Sequence, residues 1–159
     1  IMRDPVERIR SHARMLIPKY NYLNLDFKNK SLIQSNFFKN LEDIFVRYLF
    51  EKPPFVFRTR YENTIKNLEK VFKKEDIFYC LYENLFTQDT LDRMCNFLNL
   101  KDLSFDTKKI IWGTSKEGYE LNLSNELRNN VFNFYKDTYS ICDERFNASL
   151  FWKTYEFMK

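Results

Sequence analysis

Glycine is almost absent from this chain: it occurs twice in 159 residues, and proline occurs four times. These two residue types most often permit or enforce chain reversals, so their scarcity favours long regular elements over tight turns. Seventeen phenylalanines and ten tyrosines supply large side chains for a core. The composition therefore predicts a helix-rich chain, and the length predicts a single domain spanning residues 1–159.

Charge, cysteine and histidine content exclude several classes of protein. The net charge is +4, and the acidic residues are interspersed among the basic ones, so no nucleic-acid partner is expected. Three cysteines without a CxxC pair argue against a disulfide framework. Together with the single histidine, His12, they also predict that there is no metal site.

Hydropathy and cysteine usage bear on location. No apolar run approaches the length of a membrane span, so we expect no span within this chain. Unpaired cysteines favour a cytoplasmic location, with the Golgi lumen and an anchor upstream as the alternative.

The first residues predict a strand that runs directly into a helix. Ile1 and Met2 are apolar, as the end of a buried strand would be, and further chain is expected upstream. Asp4 is a favourable N-cap and Pro5 a favourable first helical residue, so a helix is predicted from Pro5 to about Leu16, ended by Pro18.

Apolar periodicity in the rest of the chain predicts one α/β unit with several more helices. The predicted helices cover 36–52, 58–72, 88–99 after a cap at Thr87, and one long helix that opens at Ser124. The predicted strand is Asp76–Tyr82, the predicted loops are Lys19–Ser35 and Lys101–Asn122, and an apolar tail closes the chain.

The junction at Arg3 has the chemistry of a phosphate site. A helix N-terminus exposes backbone N–H groups and the positive end of the helix dipole, which attract anions. Arg3 lies beside this end, and Ser11 follows Asp4 by two helical turns on the same face. Spacing alone also fits a capped, salt-bridged helix start without a ligand, and that alternative stays open.

The same residues resemble a known nucleotide motif. Arg-Asp-Pro-Val-Glu-Arg-x-x-Ser-His, from Arg3 to His12, is similar to the 3′-phosphate-binding motif of sulfotransferases that use 3′-phosphoadenosine-5′-phosphosulfate (PAPS). The resemblance implies that Arg3 and Ser11 hold the 3′-phosphate, with PAPS as co-substrate and no metal. It also implies a P-loop-type three-layer α/β fold with a parallel sheet, of which this chain would be the helix-rich C-terminal part.

The resemblance continues after the predicted strand. Tyr82-Glu83-Asn84-Leu85 looks like the family's Tyr-Glu-Asp-Leu, and Phe97-Leu98-Asn99-Leu100 looks like its Phe-Leu-Gly-Leu. Asn84 and Asn99 depart from the family pattern. By this resemblance Tyr82 lies beside the adenine ring, while a core tyrosine is the alternative interpretation.

A later loop, Trp112–Glu120, stands where the family returns a basic, glycine-containing loop to the 3′-phosphate. The resemblance implies that Ser115, Lys116 and Gly118 contribute to the nucleotide site: a hydroxyl, a positive charge and close backbone approach. A solvated turn is the alternative here, and Glu117 departs from the more basic family loop.

The implied activity belongs to a larger enzyme. The family transfers a sulfuryl group from PAPS to a hydroxyl or amine of a carbohydrate, small molecule or protein, releasing adenosine 3′,5′-bisphosphate. The glycine-rich phosphosulfate loop and the base are not recognisable here, so no catalytic residue is assigned and the chain alone is expected to be inactive.

Two other functions stay open. One is a non-catalytic nucleotide-binding relative. The other is a helical nucleic-acid or protein interaction module that uses Arg8 and Arg10 as its contacts. His12 lies inside the predicted phosphate helix, so we interpret it as a packed or surface residue and not as a base.

Overall fold

The described backbone is helical over most of its length. The computed structural model describes residues 1–24, 46–101, 106 and 123–157. The α-helices in these ranges are α1 (Pro5–Asn24), α2 (Pro53–Thr59), α3 (Tyr61–Val71), α4 (Gln88–Phe97), α5 (Asn125–Phe134) and α6 (Lys136–Phe146). Residues 46–49 are also helical, and 3₁₀ turns lie at Lys74–Asp76, Tyr82–Asn84, Ala148–Leu150 and Lys153–Phe157.

The predicted parallel sheet is wrong for the described residues, which contain no strand. Met2 and Leu81 form an isolated parallel bridge, in which the N–H of Met2 donates to the Cys80 carbonyl at 2.9 Å. The N–H of Tyr82 donates to the Met2 carbonyl at 2.6 Å. A sheet needs a ladder of such pairs, and one bridge does not make one. The α/β fold class is therefore corrected to a helical architecture over this part of the chain.

The segment predicted as a strand, Asp76–Tyr82, has a mixed conformation. It begins in the 3₁₀ turn Lys74–Asp76, is extended at Ile77 and Leu81, and ends in the turn Tyr82–Asn84. Its aromatic and β-branched residues favour extended backbone, as predicted. Pairing partners are set by the rest of the fold, so the local composition did not determine whether a ladder forms.

Three predicted helix starts are confirmed, those that follow Asp4, Thr87 and Ser124. The start predicted at 36 lies outside the described residues, and the start predicted at 58 is wrong because helices begin at Pro53 and Tyr61. Asp4 precedes α1, and its side chain accepts a hydrogen bond from the Val6 N–H at 3.0 Å. Thr87 caps α4 by accepting from the Thr90 N–H, and Ser124 caps α5 by accepting from the Leu127 N–H. These caps depend on residues three positions apart or closer, which the sequence specifies directly.

Several predicted helix limits are wrong. The predicted helix 58–72 is divided between the end of α2 and α3, and the described part of the predicted helix 36–52 is helical only over 46–49. Helix α1 continues through Pro18 to Asn24, so the predicted loop Lys19–Ser35 is helical over its first six residues. A proline removes one backbone donor, and the hydrogen bonds of neighbouring turns can hold the helix together across it. The single long helix predicted after Ser124 is two helices, because α5 ends at Phe134 and α6 begins at Lys136.

The core lies where α1 packs against α5 and where α3 and α5 pack against α6. The segment Lys153–Phe157 also packs against α5. Val6, Ile9 and Ala13 supply the buried face of α1, and the other large contributors are Ile65, Leu127, Val131, Tyr135, Tyr139 and Trp152. This packing fixes the position of the start of α1, which carries the candidate site.

Candidate anion site at the start of helix α1

Asp4 is a buried carboxylate at the N-terminus of α1. Its Oδ1 accepts hydrogen bonds from the Val6 N–H at 3.0 Å, the Tyr139 hydroxyl at 2.6 Å and the Thr154 hydroxyl at 2.9 Å. Its Oδ2 accepts from the Thr154 N–H at 2.9 Å. The Asp4 carboxylate thus occupies the position at the helix end that the sequence offered to a phosphate. An anion bound here must be held by side chains instead.

The bridge between Met2 and Leu81 brings Arg3 to Tyr82. Met2 and Leu81 are each 4% exposed and face the core. Side chains alternate along extended backbone, so the next residue of each segment projects to the other side. The guanidinium Cζ of Arg3 lies 4.7 Å from the ring centroid of Tyr82, whose side chain is 41% exposed. A pairing between residues 79 positions apart therefore creates this cation–π contact.

The Tyr61 hydroxyl fixes the backbone of Arg3. It accepts a hydrogen bond from the Arg3 N–H and donates one to the Arg3 carbonyl, both at 3.2 Å. Burial raises the pKa of Tyr61, and the nearby positive charge of Arg8 and the bond to Arg3 partly offset this rise. Arg8 therefore lies near the same hydroxyl, and one tyrosine connects the two arginines.

Arg3 and Arg8 differ from Arg10 in their charge partners. Neither forms an ion pair with a carboxylate in the part of the chain that the structure describes. Arg10, in contrast, pairs with Glu7 at 3.3 Å. Arg10 is thus paired with an acid, whereas Arg8 lies beside the Tyr61 hydroxyl and has no carboxylate partner among the described residues.

Ser11 lies two turns further along α1. Its residue is partly exposed, and its hydroxyl has no hydrogen-bond partner among the residues described here. Eight residues separate it from Arg3, which corresponds to about 12 Å along a helix axis. A long arginine side chain and the width of an anion must together span that distance, so Arg3 has to extend along α1 toward Ser11 to share a ligand.

A carboxylate borders the site. Glu83 follows Tyr82, and its Oε2 accepts from the Trp152 indole N–H at 3.0 Å while its Oε1 lies 3.5 Å from the Asp4 N–H. Desolvation raises the pKa of Glu83, and the negative charge of Asp4 adds to this rise. The sequence predicted no role for Glu83. The signal that could have identified it is its position directly after Tyr82, a predicted site residue.

The other predicted site residues fall outside the described ranges. Ser115, Lys116 and Gly118 lie there, so their contribution to a nucleotide site stays a prediction. Within the described residues no cluster of histidine, cysteine and carboxylate side chains is suited to a metal. His12 packs edge-on against Phe55 with ring centroids 4.8 Å apart, which agrees with its interpretation as a packed residue.

Comparisons with family models, curated proteins and solved structures found no match to this chain. No helix in the described ranges has both the length and the apolar character needed to cross a bilayer.

Proposed function

We propose that this chain binds the 3′-phosphoadenosine end of PAPS, as part of a sulfotransferase. The proposal rests on the motif from Arg3 to His12 and on the chemistry at the start of α1. It does not rest on the parallel sheet, because the described residues contain none. Arg3 and Ser11 hold the 3′-phosphate in this proposal, and Arg8 is a further donor near the same place.

One observation carries the proposal: the Arg3 guanidinium has no carboxylate partner among the described residues, and contacts with two tyrosines fix its position. Its backbone is bound by Tyr61, its side chain lies over Tyr82, and no carboxylate in the described residues pairs with it. Arg3 is partly exposed, so its positive charge is accessible to a ligand from solvent. Glu83 directly follows Tyr82 in the chain, yet its carboxylate oxygens face the indole N–H of Trp152 and the backbone N–H of Asp4.

The whole enzyme would break the S–O bond of the phosphosulfate and form a new S–O or S–N bond to the acceptor, which loses a proton. The products would be the sulfated acceptor and adenosine 3′,5′-bisphosphate. Arg3 and Ser11 would contribute binding and orientation, since the base that activates the acceptor is not recognisable in this chain. Binding of the product nucleotide is therefore the property to measure.

The test is calorimetric titration with adenosine 3′,5′-bisphosphate. We expect Arg3→Ala to weaken binding by about 2 to 4 kcal/mol, the scale of a lost charged contact. Ser11→Ala should weaken it by about 1 kcal/mol, as expected for a neutral hydrogen bond. Arg47→Ala is the matched control, because Arg47 is exposed and pairs with Glu126 at 3.3 Å.

A second ligand isolates the 3′-phosphate. Adenosine 5′-monophosphate lacks that group, so Arg3→Ala should leave its affinity unchanged while weakening the bisphosphate. The proposal fails if wild-type protein does not bind the bisphosphate, or if Arg3→Ala binds it as tightly as wild type does.

A further inference from the structure

We propose that Tyr82 is a positioning residue that orients the Arg3 guanidinium for the anion. This inference rests on the proposed function and assigns Tyr82 a role through Arg3, in place of direct contact with the adenine. It follows from three observations: the register of the bridge, the packing of Tyr82 beside Phe86, and the lack of a carboxylate paired with Arg3 among the described residues.

The register of the bridge makes the contact. Met2 and Leu81 point into the core, so their successors Arg3 and Tyr82 project together from the opposite side. Residue Tyr82 is locked into this register because its N–H donates to the Met2 carbonyl at 2.6 Å. The guanidinium and the ring are therefore adjacent as a direct consequence of backbone pairing.

Tyr82 is placed by its backbone and by one neighbouring ring. It begins the turn Tyr82–Asn84, and its carbonyl accepts from the Leu85 N–H at 3.2 Å. The Phe86 ring lies edge-on to the Tyr82 ring, with centroids 6.1 Å apart. The long Arg3 side chain that lies on the Tyr82 ring is restricted in its rotamers by this contact.

The contact leaves the donors of Arg3 available. A guanidinium carries its N–H donors in its own plane, and no hydrogen bond joins the Arg3 side chain to another of the described residues. The contact with the Tyr82 ring therefore leaves donors of Arg3 for a phosphate. Glu83 follows Tyr82 in sequence, but its carboxylate accepts from the indole N–H of Trp152 and forms no ion pair with Arg3.

The same geometry limits a direct role for Tyr82. One face of its ring lies against Arg3 at 4.7 Å, so an adenine would have to use the remaining face. The two roles make different predictions. A positioning residue has no effect once Arg3 is gone, and a residue that stacks on adenine keeps its effect.

The experiment is a double-mutant cycle on the affinity for adenosine 3′,5′-bisphosphate, measured by calorimetry at low salt. The proteins are wild type, Tyr82→Leu, Arg3→Ala and the double variant, with Tyr82→Phe as the conservative change and Phe57→Leu as an exposed aromatic control. We expect Tyr82→Leu to weaken binding about three- to tenfold, the scale of a cation–π contact. Tyr82→Phe, which keeps the ring, and Phe57→Leu should stay within about twofold of wild type.

In the Arg3→Ala background, Tyr82→Leu should cause no further loss. Positioning by Tyr82 is overturned if Tyr82→Leu binds like wild type, if its effect persists without Arg3, or if Tyr82→Phe weakens binding as much. In these cases a loss caused by Arg3→Ala would still support the proposed function. Absence of binding by wild-type protein overturns both proposals.

A measurement without ligand tests the contact itself. Protons on the Arg3 side chain that lie over an aromatic ring have upfield-shifted NMR resonances, and Tyr82→Leu should return them to ordinary positions. Tyr82→Phe should preserve the shift. Equal Arg3 resonances in wild type and Tyr82→Leu would show that the ring does not hold the guanidinium and would overturn the proposal.

Discussion

Asp4 and Thr154 are joined by two hydrogen bonds, although 150 positions separate them in the chain. The N–H and the hydroxyl of Thr154 both donate to the Asp4 carboxylate at 2.9 Å. Tyr139 adds a third bond from α6 at 2.6 Å. The start of α1 and the C-terminal segment are thereby tied to one buried charge, which fixes the base of the candidate site.

Replacing this carboxylate should destabilise the protein strongly. Asp4→Ala leaves the Thr154 and Tyr139 donors buried without an acceptor, and we expect a loss of about 3 kcal/mol in the free energy of unfolding. Urea denaturation followed by circular dichroism measures it. Asp89→Ala is the matched control: Asp89 lies in the first turn of α4, and its ion pair with Arg93 is exposed. A similar small change in both variants would contradict the role of Asp4.

Glu83 should make stability depend on pH. Its folded pKa is raised above the ordinary value of 4.5 for a free glutamate, so the stability linked to its protonation is present below that value and is lost as the pH rises through the folded pKa. Glu83→Gln removes this dependence. The difference in unfolding free energy between wild type and variant should therefore fall as the pH increases through this window.

Urea denaturation at a series of pH values, starting below the ordinary glutamate pKa of 4.5, provides the measurement. Glu75→Gln, at an exposed position, is the matched control. Parallel pH profiles for wild type and Glu83→Gln would show that Glu83 does not contribute.

The three cysteines should differ in reactivity. Cys142 is 0% exposed, and burial raises its pKa to about 12, while burial also raises the pKa of Cys80. Cys95 lies partly exposed on α4. Because the thiolate is the reactive form, iodoacetamide near neutral pH should modify Cys95 first and Cys142 last.

Peptide mass spectrometry after timed alkylation measures this order, with denatured protein as the control in which the order should disappear. Modification of Cys142 in the folded protein as fast as that of Cys95 would contradict its burial.

Tyr135 should contribute through its hydroxyl. The hydroxyl is buried and donates to the Phe50 carbonyl at 2.5 Å. It thus joins the residue between α5 and α6 to the residue that follows the helical residues 46–49. Tyr135→Phe should lower the free energy of unfolding by about 1 kcal/mol. Tyr48→Phe, at a side chain 63% exposed, is the matched control and should change it little.

Alkaline pH provides a second test of this residue. Burial raises the pKa of Tyr135 to about 12, from the ordinary value of 10.0 for a tyrosine. The linked stability is present below the unfolded value and is lost as the pH rises through the folded one. Wild type should therefore lose more stability than Tyr135→Phe between these values. Equal losses would mean that the hydroxyl is not buried.

Local signals in the sequence predicted the three capped helix starts correctly but did not predict where the helices end. Asp4, Thr87 and Ser124 bond to N–H groups within the next three residues, so each cap is specified by a short stretch. The break between α5 and α6 at Tyr135 has no glycine or proline to announce it. Burial of Tyr135 against Phe50 is a tertiary contact, and periodicity cannot predict it.

The candidate site divides in the same way. The sequence by itself determined the richness in helix, the start of α1, and the placement of Arg3 just before α1 and of Ser11 within it, because these depend on composition and on near neighbours. Tertiary structure decided that Asp4 accepts hydrogen bonds from Thr154 and Tyr139, that Met2 pairs with Leu81, and that Arg3 consequently lies on Tyr82. Each of these contacts joins segments about 80 or more residues apart, and packing of the whole chain, not local preference, selects which distant groups meet.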